Sequence, residues 1–155
     1  MNDELNDEQL IFWHEYLDSI GASEDDFYVE ASIAGNSEIA DELLQLYLDG
    51  KKSAGSGLVK DYELAGDDLP KVGNHWVILD SEENPRCIVK TIAVEFHQFA
   101  DVPEKVAIAE GEGDLSIAYW KQAHRKFFTP YLADLQIEDL EQAQVVTEFY
   151  QVVYK

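Results

Sequence analysis

Between Asp7 and Ile20 the apolar residues Leu10, Trp13, Leu17 and Ile20 return every three or four positions, which is helical spacing. Asn6 or Asp7 is placed to cap this first helix and Gly21 to end it. Phe27 to Ile33 instead alternates aromatic or β-branched with polar residues and stops at Gly35-Asn36, the pattern of a short edge strand. Ile39, Leu43, Leu46 and Tyr47 restore the helical period, with Asn36 or Ser37 as cap and Gly50 at the position of a left-handed C-cap. His75–Leu79 and Cys87–Phe96 are dense in β-branched and aromatic residues and flank the turn sequence Asp80–Pro85, so they predict a β-hairpin. Pro103 to Ala109 predicts a short helix. Asp114 is placed to cap a longer one from Leu115 to about Phe128, with Tyr119, Trp120, Ala123 and Phe127 on its buried face. Val145 to Tyr154 closes the chain as a strand.

Helices first, then strands, a helix and a last strand predict an α+β fold, most simply a small curved β-sheet or partly closed β-barrel flanked by helices. No repeat and no linker separates two cores, so residues 1–155 are expected to form a single domain with a helical N-terminal part, 1–36. A chain of 155 residues buries roughly two-thirds of its unfolded surface, enough for a core without metals or disulfides. Cys87 is the only cysteine and lies in an apolar run, where a buried inert thiol is expected. The N-terminus lacks a cationic, apolar leader and no apolar run reaches membrane-spanning length, so a cytoplasmic protein with no membrane partner is expected.

Charge changes the picture of the partners. The formal net charge is −21, and the first fifty residues carry fourteen Asp and Glu with no Lys or Arg. Long nucleic acid is held by neutralising its phosphates, so this surface disfavours a duplex or a long strand. A small, weakly charged ligand escapes that penalty. The acidic N-terminal face also leaves open a protein-interaction module that binds basic partners.

Against this background the first cations arrive abruptly in Gly50-Lys51-Lys52-Ser53-Ala54-Gly55-Ser56-Gly57. Glycines let a backbone approach a ligand, serines supply hydroxyls, and lysine is a compact cation that responds to its surroundings. The alternative is a solvated turn after a helix. If the loop is extended, side chains alternate, so Ser56 shares a face with Lys52 while Ser53 shares one with position 55.

Leu48-Asp49-Gly50-Lys51-Lys52, Leu69-Pro70-Lys71-Val72-Gly73, Cys87-Ile88-Val89-Lys90-Thr91 and Glu110-Gly111-Glu112-Gly113-Asp114 followed by Ser116, Trp120, His124, Phe127 and Phe128 resemble the ASCH family. The resembling core runs from about residue 37 to 154. The resemblance implies a PUA-like fold and a partner that is RNA or an RNA-derived ligand such as a modified nucleoside. Some relatives look like amidohydrolases that deacetylate N4-acetylcytidine, and others have been proposed as ribonucleases. In the amidohydrolase pattern a lysine ends Gly-x-Lys, a threonine follows three residues later and a glutamate lies in the acidic box. Here these positions hold Lys52, Gly55 and Glu112, and Gly57 stands where many members carry an arginine.

Lys52 and Glu112 are therefore the candidate catalytic pair, Lys52 as base and Glu112 as proton carrier or as the group that orients Lys52. Either water is the direct nucleophile, or Ser56 or Ser53 supplies the missing hydroxyl. Gly50, Lys51, Gly55 and Gly57 are candidate ligand contacts, the glycine amides acting as an anion nest or oxyanion hole. A structural Lys52–Glu112 ion pair without turnover is the alternative. Tyr62 is the best candidate to stack on a base, with Trp120 and His124 as further contacts. Core packing competes for Trp120, and a hydrogen-bonded structural role competes for His124. No Cys/His cluster suggests zinc, and neither a metal nor a cofactor is expected.

Overall fold

The structure, a computed structural model, describes residues 5–155. Its elements in chain order are α1 (Asp7–Ile20), β1 (Val29–Ile33), α2 (Ala40–Leu48), β2 (Ala54–Leu58), α3 (Val59–Ala65), β3 (His75–Leu79), β4 (Pro85–Gln98), α4 (Glu104–Glu110), α5 (Ile117–Phe128) and β5 (Gln144–Tyr154). The strands form one mixed sheet in the order β1-β3-β4-β5-β2, giving the expected α+β fold. Contacts group the chain into two compact units. The first comprises the chain up to Lys51, Lys71–Ile92 and Tyr150–Lys155; the second comprises Lys52–Pro70 and Ala93–Phe149.

In the first unit α1 opens with a reciprocal cap, Asn6 accepting from the Gln9 amide and the Gln9 side chain accepting from the Asn6 amide. Trp13, Tyr16 and Leu17 then pack against Val29, Val77 and Ile88. β1 pairs in parallel with β3 at the sheet edge, and β3 pairs with β4 as the expected hairpin. Asn36 does accept from the amides of Glu38 and Ile39, but α2 begins only at Ala40, so that side chain caps the turn before the helix. The end of α2 is as expected. Gly50 sits at φ 75°, and the amides of Gly50 and Lys51 return to the carbonyls of Tyr47 and Leu46. Leu43, Leu44 and Tyr47 of α2 pack on Ile78, Cys87 and Val89, and burial pushes the Cys87 thiol up to about 11, leaving it inert.

The second unit contains one helix that the pattern did not announce, α3, because seven residues give too short a window for a period to emerge. Its core gathers Phe99, Val106, Trp120, Phe128 and Val145. The cap of α5 is Ser116 rather than Asp114: Leu115 at φ 68° breaks the chain direction first, and Asp114 accepts instead from the Ser116 amide. The inward stripe of α5 is correspondingly Trp120 and Phe128, while Tyr119, expected inside, is 39% exposed. Among the described residues no helix is long and apolar enough to cross a membrane.

One core residue makes the first unit sensitive to acid. His75 is buried among Trp13, Phe27 and Tyr16, and that burial lowers its pKa to about 4. The folded state therefore binds this proton less readily than the unfolded chain, so stability is full above pH 6.5 and falls as the pH drops towards 4. The cost at full development is about 3 kcal/mol. Urea unfolding at pH 7 and pH 4.5 is expected to show this loss in the wild type and a clearly smaller one in His75→Phe; equal losses would contradict the assignment.

Candidate functional site

The glycine-acid box and the Lys52 segment meet within the second unit, around the carboxylate of Glu110. This residue ends α4, one turn after Val106 and Ala107 on the helix's inward face, and is 2% exposed. Gly111 at φ 70° then closes the helix, its amide bonding back to Ala107 and Ile108. The tight reversal returns Glu112 towards Lys52. Gly113, at φ 60°, is needed for a different reason: a Cβ there would lie 2.5 Å from the Tyr119 ring, so only glycine leaves that ring its seat.

Residues Ala54–Leu58 are an extended strand, β2, paired antiparallel with β5 so that Ser56 lies opposite Thr147. Lys52 precedes this strand and, as alternation requires, reaches the same carboxylate as Ser56. Its Nζ lies 3.2 Å from Glu110 Oε1, 3.0 Å from Glu112 Oε2 and 3.3 Å from the Glu110 carbonyl. That carbonyl and the neighbouring Ala109 carbonyl are orphans at the end of α4; the second accepts from the Ser53 amide at 2.7 Å. Lys52 is thus both the counter-ion of Glu110 and a cap for its helix, and a cation at this end also suits the helix dipole.

Three more groups converge on the carboxylate. Ser56 Oγ lies 2.6 Å and Trp120 Nε1 2.6 Å from Oε2, and His124 Nε2 lies 3.3 Å from Oε1. The His124 ring stacks on Trp120 at 4.0 Å, and its Nδ1 is 2.9 Å from the Trp120 carbonyl. A carbonyl only accepts, so Nδ1 carries a proton, and Nε2 pairs with Glu110 as a donor when it carries one too. Burial is the largest single influence on Glu110 and pushes its pKa up. The His124 hydrogen bond, the charges of Lys52 and His124 and the Ser56 hydroxyl together outweigh it and hold the carboxyl at about 2.

Of the expected site residues, Lys52, Glu112, Ser56, Trp120 and His124 are brought together. Trp120 is buried and serves as a donor to Glu110 and a platform for His124. Ser53 is exposed, and its hydroxyl faces the Ala109 carbonyl at 3.4 Å. Lys51 is exposed, and Gly50 serves the C-terminus of α2. Gly55 and Gly57 lie in strand β2 without positive φ, so the backbone here is not an anion nest, which needs alternating handedness. The Tyr62 ring edge lies over Gly57, where a Cβ would be 3.7 Å away.

Two residues were missed as site members. Glu110 is the hub, and the signal was available: it falls four residues after Val106 on the apolar stripe of α4. Thr147, fully buried, lies 2.7 Å from Ser56 Oγ. Ser56 donates to Glu110, so Thr147 donates to Ser56, a contact set by a cross-strand register that no local pattern announces. Beside these groups lies a cavity of about 10 Å³, lined by Ala107, Glu110, Glu112, Tyr119, Ala123 and His124 together with Trp120, with room for about one water molecule.

The comparisons with known proteins agree with this architecture. A family model for the ASCH domain matches residues 30–154. The crystal structure of an ASCH domain from Lactobacillus crispatus JV V101 is 31% identical, with a TM-score of 0.88 and 97% of each chain covered. A protein of Enterococcus faecalis V583 is 29% identical, with a TM-score of 0.82 over 94% of this chain and 87% of its own. A hypothetical protein at 18% identity and a TM-score of 0.52, over 81% of this chain and 97% of its own, shares the fold alone. None of the curated proteins matches the chain.

The two glutamates should respond very differently to loss of charge. Glu110→Gln leaves Lys52 and His124 short of their buried partner and is expected to cost about 3–5 kcal/mol in urea unfolding at pH 7. Glu112, 26% exposed, should cost about 1 kcal/mol or less as Glu112→Gln. Because the Glu110 pKa is depressed on folding, its contribution is present above pH 4.5 and lost as the pH falls towards 2, so the Glu110→Gln deficit should shrink across that window. Equal costs for the two variants would contradict the hub.

Proposed function

Because the chain belongs to the ASCH domain family, we propose that the Lys52–Glu110–Glu112 cluster recognises an RNA-derived ligand, a modified nucleoside in the first instance. The observation that carries this reading is the buried, ionised Glu110 with four side-chain donors fixed on it. Such a group holds Lys52, Ser56 and His124 in place before any ligand arrives, which is what a polar recognition site requires. Glu112 and His124, on the cavity wall beside Glu110, are polar groups a nucleoside would meet. A cavity of about 10 Å³ does not admit one, so entry requires Tyr119, exposed and seated on Gly113, to swing aside.

Hydrolysis of an amide such as that of N4-acetylcytidine is the second reading, favoured by the Ser56 hydroxyl beside the vacant threonine position at Gly55. There Lys52 would polarise the carbonyl as Ser56 Oγ bonds to its carbon. The Ser56 proton, taken up by Glu110 and relayed to Glu112, would pass to the amine as the C–N bond breaks, and water would then release acetate from the acylated serine. The low pKa of Glu110 makes it a poor acceptor for the Ser56 proton, which places recognition ahead of turnover.

The test is calorimetric titration of N4-acetylcytidine and cytidine into the wild type, Glu112→Gln and Lys52→Gln, with products followed by chromatography. Circular dichroism checks each fold. The reading expects binding by the wild type that weakens about tenfold in Glu112→Gln, whose fold is preserved. Product that disappears in Lys52→Gln would add hydrolysis. Absence of nucleoside binding, or wild-type affinity in Glu112→Gln, would contradict it.

A further inference from the structure

From Leu115 to Ala133 the chain carries no Asp or Glu, the longest such stretch in a protein of net charge −21, and in it stand Lys121, Arg125 and Lys126. Two of these cations share one outward face of α5. Gln122, Arg125, Lys126, Thr129 and Pro130 line an open groove of about 560 Å³, at the i, i+3, i+4 and i+7 spacing of a single helical stripe. Tyr131, the residue after Pro130, is 51% exposed, and its ring lies 6.3 Å from that of Phe127 between centroids.

We propose that this groove binds a short single-stranded segment of RNA, with Arg125 and Lys126 on consecutive phosphates and Tyr131 offering its face to a base. Cations interleaved with exposed aromatic rings are the combination that single strands require, because phosphates supply charge at every step and every base has a face to stack. Arg125 is pre-positioned over the Phe99 ring at 5.1 Å and paired with Glu141, both about half exposed. An exposed pair of this kind is worth little and yields readily to a phosphate. The acidic remainder of the surface confines the contact to this stripe, which selects short segments over long tracts. His124 lies on α5 one residue before Arg125, so the groove and the nucleoside cavity are carried by different faces of the same helix. The inference takes its choice of polymer from the RNA-derived ligand proposed above, and otherwise stands on this face alone.

The experiment is fluorescence anisotropy of a labelled eight-nucleotide oligouridylate with wild type, Lys126→Glu and Tyr131→Ala at several salt concentrations. A polyglutamate peptide serves as competitor, and N4-acetylcytidine titrations are run in parallel. Each phosphate contact contributes about 0.7 to the slope of log affinity against log salt. Lys126→Glu should flatten that slope by at least this amount and weaken binding several-fold, while Tyr131→Ala weakens binding without changing the slope. Nucleoside binding should be the same in Lys126→Glu as in the wild type. Loss of oligonucleotide binding in Lys126→Glu with no nucleoside binding in any protein would uphold the groove and reject the cavity. Unchanged affinity and slope in Lys126→Glu would overturn the groove, as would displacement of the RNA by polyglutamate at equal charge, which would make the face an acidic-peptide site.

Discussion

A single buried carboxylate organises the second unit of this protein. Glu110 is ionised in a place where an isolated charge would be very costly, and it is tolerated because Lys52, Ser56, Trp120 and His124 all present hydrogens to its two oxygens. These donors come in pairs from two distant parts of the chain. The strand β2 segment supplies Lys52 and Ser56, α5 supplies Trp120 and His124, and Thr147 of β5 completes the chain of hydroxyls. Satisfying one charge therefore fixes three elements at once. A fully satisfied polar network of this kind specifies geometry more than it adds stability.

The glycines of the acidic box follow from the same constraint. Gly111 ends α4 immediately after Glu110 and turns Glu112 back onto Lys52; Gly113 makes room for the Tyr119 ring at the cavity wall. The box thus encodes one inward carboxylate, one carboxylate at the cavity wall and one capping aspartate on a reversing backbone. Lys52 is paired with Glu110, while Arg125 and Lys126 lie on the outward stripe of α5, the helix that also carries His124.

Much of the fold was legible because its signals are local. The spacing of Leu10, Trp13 and Leu17, the glycine at position 50 and the β-branched runs flanking Asp80–Pro85 each determine their element within a short window. Lys52 stood out by charge contrast, and its shared face with Ser56 followed from alternation. The acidic box was harder. Three carboxylates at alternate positions look equivalent in sequence, and the choice between Glu110 and Glu112 depends on where α4 ends. That boundary lies one residue beyond the expected Ala109, which turns Glu110 inward. Thr147 was invisible for another reason, since the register of β2 against β5 is a property of the folded sheet. Tyr119 and Asp114 were displaced from their expected roles by one left-handed residue, Leu115, whose side chain gives no hint of that conformation.

The organisation of the second unit depends on Glu110 being ionised in the folded protein well below the usual carboxylate range. Carbon-detected NMR of the side-chain carboxyl, titrated from pH 7 downward with Glu110→Gln to assign the resonance, measures this directly. A midpoint near 2 is the expected result. A midpoint at or above the ordinary glutamate value would mean that burial outweighs the donors, and would contradict the ionised hub.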